Sequence, residues 1–304
     1  MGYLILPVLR VLGWFFYLLP EPLRGAWVWC LGGLLARLQV RARVIEHNLG
    51  FAFPGKNPAT RQLTRAAYAH VARLTLEILM LFGPMRSYVL RNVEIRGDHH
   101  IRKALKRGRG VILMSSHVGN WEVMAAGAPL ILKIPILFVT KRLKPAWLHE
   151  AVERARARYE VRATYEPRTL KDVLRELKSN GVVGFVLDQY AGAPVGVRVP
   201  VFGIPVGTTT AIAALVKRTG AALIPVVNYR IRGGKFIIEV RPEVPWQAGP
   251  NPSRELAANT ARYAAAIERD IYSHPEQWLW THRRFKGDLT PLRPGEWDEK
   301  RART

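Results

Sequence analysis

His117 and Glu122 stand five positions apart in Ser115-Ser116-His117-Val118-Gly119-Asn120-Trp121-Glu122, directly after the apolar run Val111-Ile112-Leu113-Met114. An imidazole beside a carboxylate is a general base for a hydroxyl group. The carboxylate accepts a hydrogen bond from one ring nitrogen, fixes the tautomer and raises the basicity of the other nitrogen. On one continuous helix, at about 3.6 residues per turn, this spacing would rotate the two side chains well apart. It works if His117 lies in a turn at a strand's end and Glu122 opens the next helix, so that both point into one crevice. Otherwise Glu122 is an ordinary helix-opening acid favoured by the helix dipole, and His117 a surface histidine.

The flanking sequence supplies that turn. Residues 111–115 read as a buried strand and Trp121-Glu122-Val123-Met124-Ala125-Ala126 as a helix. Ligands of open α/β sheets bind in crevices at the carboxyl ends of strands. From about residue 92 the alternation continues, with strands expected at 92–96, 110–115, 134–140, 182–187, 222–229 and 235–240. Helices are expected near 98–107, 120–132, 145–158, 168–180, 208–219 and 253–273. The implied fold class is α/β, a sheet with helices packed on its faces. Before it, Pro58 opens a helical stretch over about 58–82, with Leu63, Ala67, Val71, Leu74, Ile78 and Leu81 at helical spacing.

Other segments converge on the same crevice. Asp188 and Gln189 end the run 182–187, where Asp188 is either a second acid or a turn cap. The Gly/Pro stretch Val201 to Thr210 reads as a loop whose Thr208 and Thr209 lead to a helix at 211–219. A helix N-terminus there is a ready phosphate or oxyanion site. Lys141, Arg142, Lys144, Arg154, Arg156, Arg158, Arg162 and Arg168 each read as solvated, but as a group can clamp phosphates through paired donors. Trp278 and Trp280 alternate with Leu279 and can line an acyl or membrane surface, or form a structural cap; His282 to Lys286 offers a basic edge.

The 304 residues are 49% apolar and carry 46 Lys plus Arg against 23 Asp plus Glu, a net charge of +23. An anionic partner is implied. Nucleic acid is not expected, because a dense basic helix or stacking platform is missing and the polar residues sit singly at strand ends. The single cysteine, Cys30, excludes an internal disulfide and a Cys-rich zinc site, and in its apolar setting reads as a buried thiol. No Gly-x-Ser-x-Gly, His-Glu-x-x-His, Walker or Gly-x-Gly-x-x-Gly motif occurs, and no metal is expected.

The N-terminus is apolar over residues 3–19 and again over 26–35. Crossing a bilayer takes about 20 apolar residues, so the first run is borderline and the second short. Without a basic n-region or a small-residue cleavage site, a signal peptide fits poorly. A tilted span, a re-entrant hairpin and monotopic helices remain open. Arg37, Arg41 and Arg43 place that side in the cytoplasm, and Trp14, Phe15, Phe16, Tyr17, Trp27 and Trp29 suit an interfacial belt. The expected division is a membrane anchor over 1–40, a catalytic domain over 41–290 and a charged tail over 291–304.

Four stretches carry a family resemblance. His117-x-Gly119-Asn120-Trp121-Glu122 resembles the His-x4-Asp/Glu motif of the glycerolipid acyltransferase superfamily, in the form found in the lipid A (lauroyl/myristoyl) acyltransferases. His47-Asn48-Leu49…Phe53-Pro54, Phe202-Gly203-Ile204-Pro205 and Pro275-Glu276-Gln277-Trp278-Leu279-Trp280-Thr281-His282-Arg283-Arg284-Phe285-Lys286 resemble the same family, in its order. The resemblance implies a central mixed sheet flanked by helices, with an N-terminal membrane-anchoring helical segment. It implies transfer of a fatty acyl chain from acyl-carrier protein, or a CoA thioester, as co-substrate, with no bound cofactor. The acceptor is a hydroxyl of a Kdo-bearing lipid A precursor, an anionic glycolipid at the cytoplasmic face of a bacterial inner membrane. His117 and Glu122 are then catalytic, and Asn120, Arg156, Arg158, Arg168, Asp188, Gln189, Thr208 and Thr209 face substrate. Relatives sharing the motif acylate phosphatidylinositol mannosides or lysophospholipids from acyl-CoA, which stands as the alternative acceptor class. A non-enzymatic binder of anionic lipid or nucleic acid is the alternative of another kind.

Overall fold

The computed structural model describes residues 2–55, 58–249 and 251–291; the expected tail beyond residue 291 lies outside them. Two apolar helices open the chain, α1 (Gly2–Leu18) and α2 (Glu21–Arg37), separated at Pro20, whose fixed φ and missing N–H start a new helix. α3 (Ala42–Ala52), α4 (Pro58–Leu79) and α5 (Met85–Asn92) follow, and α4 matches the helical spacing of the sequence. The alternating part then runs β1 (Val93–Arg96), α6 (His99–Leu105), β2 (Val111–Ser115), α7 (Trp121–Leu132), β3 (Ile136–Val139), α8 (Ala146–Ala157), β4 (Arg162–Thr164), α9 (Thr169–Lys178) and β5 (Val182–Val186). It closes with β6 (Gly196–Val201), β7 (Ile204–Thr209), α10 (Ala211–Thr219), β8 (Ala222–Arg230), β9 (Phe236–Val240) and α11 (Pro252–Ser273).

Seven strands form one mixed sheet in the order β1-β9-β8-β2-β5-β3-β4, parallel except for the antiparallel β8–β9 pair. β2 and β5, buried on both faces, read as unbroken apolar runs for that reason. On one face Val111, Leu113, Ile224 and Ile238 pack beneath α6 and α7. On the other, Ile112, Met114, Val183 and Val227 join Val173 of α9, Val216 of α10 and Ile267 of α11. A third cluster seats Phe16, Val28, Ala72 and Leu76 of α1, α2 and α4 against Val123, Ala126 and Leu130 of α7.

The structure departs from the sequence-based expectation in residues 196–209, at Cys30 and in β4, which no expected strand covers. Residues 196–209 form a two-stranded antiparallel hairpin, β6–β7, rather than a loop entering a helix at 208. Its turn has positive φ at both Phe202 and Gly203, the backbone of a tight hairpin. Cys30 is exposed, on the outward side of α2 beside Trp29 and Trp27. Among the described residues no single helix is long and apolar enough to cross a membrane; α1 has 17 residues and contains Pro7. The α1–α2 pair nonetheless leaves Val8, Val11, Trp14, Phe15, Leu18, Trp27 and Trp29 exposed, while Phe16 and Val28 face inward.

Candidate active site

β2 ends at Ser115, and the chain turns through Ser116 to Asn120 before α7 begins. Gly119 takes φ +69°, and a Cβ there would lie 2.0 Å from Asn228 Oδ1 and 2.4 Å from the Asn228 carbonyl oxygen, so only glycine fits against β8. Asn120 caps α7 with its side chain, accepting from the Glu122 and Val123 amides at 2.9 and 3.2 Å. The same side chain donates to Glu77 Oε2 at 3.0 Å. The Asn120 amide donates to Asn228 Oδ1 at 2.8 Å, and Asn228 Nδ2 returns a bond to the Asn120 carbonyl at 2.7 Å.

The carboxylate that meets His117 is Asp188. His117 Nδ1 lies 2.8 Å from Asp188 Oδ1, and the His117 backbone N–H donates to Asp188 Oδ2 at 2.8 Å. Trp278 Nε1 donates to that same oxygen at 2.6 Å. Asp188 is 5% exposed. Burial pushes its carboxyl up, but the His117 charge and the donors from His117 and Trp278 outweigh burial and bring it down to about 2. An ionised Asp188 fixes the tautomer with the proton on Nδ1 and the lone pair on Nε2. Burial likewise disfavours the imidazolium, yet Asp188 wins and raises the His117 pKa above its ordinary value. Gln189 Nε2 stands 3.4 Å from His117 Nε2, and the Trp121 ring packs edge-on at 5.0 Å.

Glu122 does not partner His117. Placed in the first turn of α7, it takes a two-point grip from Arg156 of α8, with Nε to Oε2 at 3.0 Å and Nη2 to Oε1 at 2.5 Å. Arg156 also reaches Glu153 at 3.2 Å. The fork of the guanidinium matches the carboxylate plane and makes two parallel hydrogen bonds to it. The short-range pairing expected from the five-residue spacing is therefore replaced by two long-range ones, each closed by a residue from another element.

Of the remaining expected residues, Thr208 lies within β7 and accepts from Arg284 Nη2 at 2.7 Å. Thr209 Oγ1 accepts from the Ala211 amide at 3.2 Å, which takes up an amide of the α10 N-terminus. Arg158 and Arg168 are exposed, at the end of α8 and before α9, with no hydrogen bond to His117, Asp188 or Glu122 among the described residues. Arg156 alone of that set joins the site.

Of the two readings left open for the C-terminal segment, an acyl or membrane surface and a structural cap, the structure takes the second: Trp278 and Trp280 are buried and the segment packs on the catalytic turn. The Gln277 carbonyl accepts from the Gly119 amide at 2.9 Å, and Val118 bridges to Trp278. Arg284 is 2% exposed and donates to the Gln189 and Gly207 carbonyls at 2.6 and 3.0 Å; burial lowers its pKa to about 10. Asn48 of α3 holds this segment at the Trp280 and His282 carbonyls, and His47 at that of Phe285. Two separated sequence motifs thus meet.

A second buried network lies below. Arg230, ending β8, grips Glu77 of α4 at 2.7 and 2.6 Å and reaches His70 Nδ1 at 3.1 Å. Burial, then the Arg230 charge, push the His70 pKa well down, so the ring is neutral. Glu77, Arg230, Asn228 and His70 carry no sequence signal beyond their types, because the partners lie far apart in the chain, on α4 and β8.

An apolar pocket lies between α7 and the sheet. Ser115, Met124, Leu113, Gly184 and Phe138 line it.

The sequence of this chain is similar to those of known proteins. It matches the bacterial lipid A biosynthesis acyltransferase family over residues 3–287. The chain belongs to that family. It is 28% identical over 280 residues to a lipid A biosynthesis lauroyltransferase of Escherichia coli (strain K12), covering 90% of this chain and 88% of the relative. A lipid A biosynthesis palmitoleoyltransferase of the same organism is 26% identical over 84% of this chain and 82% of its own. A phosphatidylinositol mannoside acyltransferase of Mycolicibacterium smegmatis is 28% identical, over 82% and 79%. This member of the lipid A acyltransferase family is an acyltransferase.

Proposed function

We propose that this acyltransferase moves a fatty acyl chain from an acyl-carrier protein thioester to a hydroxyl of a phosphorylated, Kdo-bearing lipid A precursor, at the cytoplasmic face of a bacterial inner membrane. The observation that carries the reading is the His117–Asp188 pair just past the carboxyl ends of the adjacent strands β2 and β5. His117 Nε2 takes the proton of the acceptor hydroxyl, and the oxygen attacks the thioester carbonyl. The tetrahedral oxyanion collapses with cleavage of the C–S bond, and the imidazolium returns its proton to the departing thiolate. The amides of His117, Gly119 and Asn120 are already committed to Asp188, Gln277 and Asn228. The Gln189 carboxamide beside Nε2 is the donor we assign to the oxyanion. Glu122 acts through Arg156, holding the guanidinium at the site.

The net charge of +23 supports an acidic carrier protein and a phosphorylated acceptor. The exposed aromatic and aliphatic residues of α1 and α2 support attachment to the membrane surface without a span. A second acceptor class, the phosphatidylinositol mannosides with acyl-CoA as donor, is favoured by the comparable likeness of the mycolicibacterial relative.

Purified protein in detergent, given acyl-carrier-protein thioesters and a tetra-acylated Kdo-lipid A precursor, tests the assignment. Transfer that disappears in His117→Ala and Asp188→Asn with folding intact supports it. Transfer only from acyl-CoA to a phosphatidylinositol mannoside would replace the acceptor and keep the mechanism. Unaltered activity in His117→Ala would overturn the mechanism.

A further inference from the structure

The turn that carries His117 is held at Gly119 and at Asn120, and both holds lead back to one carboxylate. The Gly119 amide donates to the Gln277 carbonyl. The Gln277 carboxamide is itself fixed on the main chain of Arg230, accepting from its N–H at 2.8 Å and donating to its carbonyl at 3.1 Å. The Asn120 side chain donates to Glu77 Oε2, and the Arg230 guanidinium grips Glu77 through Nε and Nη2. Glu77 of α4 therefore reaches the turn twice, directly at Asn120 and through Arg230 and Gln277 at Gly119. Glu77, Asn120 and Asn228 are 2%, 0% and 1% exposed, so a partner lost here is not replaced by bulk water.

Donor and acceptor roles in this network admit one arrangement. Asn120 Oδ1 is occupied by the Glu122 and Val123 amides that begin α7, so Nδ2 must face Glu77. Glu77 receives Arg230 Nε on Oε1, and both Arg230 Nη2 and Asn120 Nδ2 on Oε2. Only a group with two acceptor oxygens satisfies all three donors. The remaining guanidinium nitrogen, Nη1, lies on Nδ1 of the neutral His70 ring.

We propose that Glu77 and Arg230 are the positioning pair of the catalytic turn: by fixing Asn120 and Gly119 they set where His117 Nε2 stands relative to the acceptor hydroxyl. Neither makes a hydrogen bond to His117 or Asp188 among the described residues. The inference rests on the acyl-transfer reading above and adds two residues that act on the base's place rather than its basicity. A general base must lie within hydrogen-bond reach of the proton it removes, and a misplacement of about 1 Å can lower a rate by about 10²-fold. A hydroxyl held in its own binding site cannot follow a displaced base, whereas a water molecule can. A shifted turn therefore lowers acyl transfer more than it lowers hydrolysis of the same thioester.

The test measures both reactions with an acyl-carrier-protein thioester and the Kdo-lipid A precursor. Glu77→Gln sets an NH2 group against either Asn120 Nδ2 or the guanidinium, and Asn120→Asp sets oxygen against oxygen. The double variant lets the introduced amide donate to the introduced carboxylate, which still caps α7. Each single variant is expected to lower the ratio of transfer to hydrolysis at least tenfold, with the acid limb of the pH profile in place. The double variant should return to within about threefold of the wild type. A smaller folded fraction would lower both reactions alike and leave the ratio unmoved. Arg230→Lys keeps the charge and loses the paired donors, so it should lower the ratio about threefold; it decides the point if the single variants do not fold. Hydrogen exchange over residues 116–123 without substrate, faster in Glu77→Gln and Arg230→Lys, reads the turn apart from the reaction. That response in a protein whose wild type transfers nothing would uphold the pair and remove the transfer reading. Exchange unmoved over 116–123, a ratio unmoved in the folded variants, or a double variant no better than the single ones overturns the proposal.

Discussion

Two buried carboxylates flank the catalytic turn and are handled in opposite ways. Asp188 is given an imidazole, an indole N–H and a backbone amide, groups that leave it ionised while transmitting its charge to His117. Glu122 is given a guanidinium, which neutralises it and fixes it in place. The first carboxylate tunes a proton acceptor; the second anchors a cation. What separates them is the partner, and the partner comes from a different part of the chain in each case. A carboxylate near a histidine in sequence is therefore a weaker indicator of a dyad than one brought to the same strand-end layer by the sheet, as β2 and β5 bring His117 and Asp188.

The contrast can be broken at either side. Removing the base itself has the largest effect: His117→Ala is expected to lower kcat by about 10³-fold, within the usual range for a general base. Arg156→Met strands Glu122 as a buried charge and should cost about 3 kcal/mol in chemical denaturation. Adding Glu122→Gln should restore most of that stability; if the double variant is no better, the pair is not what holds α8 to α7. Asp188→Asn should reduce kcat by about 10²-fold and also move the pH profile. His117 must be neutral to accept a proton, so activity rises with pH through its elevated pKa. Without Asp188 the remaining influence is burial, which lowers that pKa, so the acid limb shifts to lower pH. An acid limb that stays put would separate Asp188 from His117. The smallest effect belongs to Trp278→Phe, which deletes one charge-assisted hydrogen bond and should cost about 1.5 kcal/mol in a urea melt. Its acid limb should remain close to that of the wild type.

Much of this was legible in the sequence because it depends on local pattern. The buried strands around His117 and Asp188 and the turn with Gly119 follow from apolar runs and turn chemistry; Asn120, expected to face substrate, is instead the fully buried cap of α7. The pairing of Glu122 with Arg156 spans 34 residues and two helices, and nothing in either segment encodes it. β4 escaped notice because three residues are too few to show a period. The β6–β7 hairpin was read as a loop because Pro200 and Pro205 argue against a strand. In a two-stranded ribbon both strands are edges, and the two prolines sit opposite each other in register. For Trp278 and Trp280 the sequence leaves a surface and a structural cap open, because alternation gives their spacing and not their surroundings. Their indole N–H groups instead reach Asp188 and the Pro275 carbonyl, and both rings are buried.

Cys30, the chain's single cysteine, projects outward from α2 between Trp27, Trp29 and Leu34, all exposed. It is therefore a ready labelling handle that requires no background substitutions. A nitroxide attached there, read by its relative broadening with oxygen and with a water-soluble nickel chelate, would register how deeply this helix face settles into vesicles of chosen lipid composition.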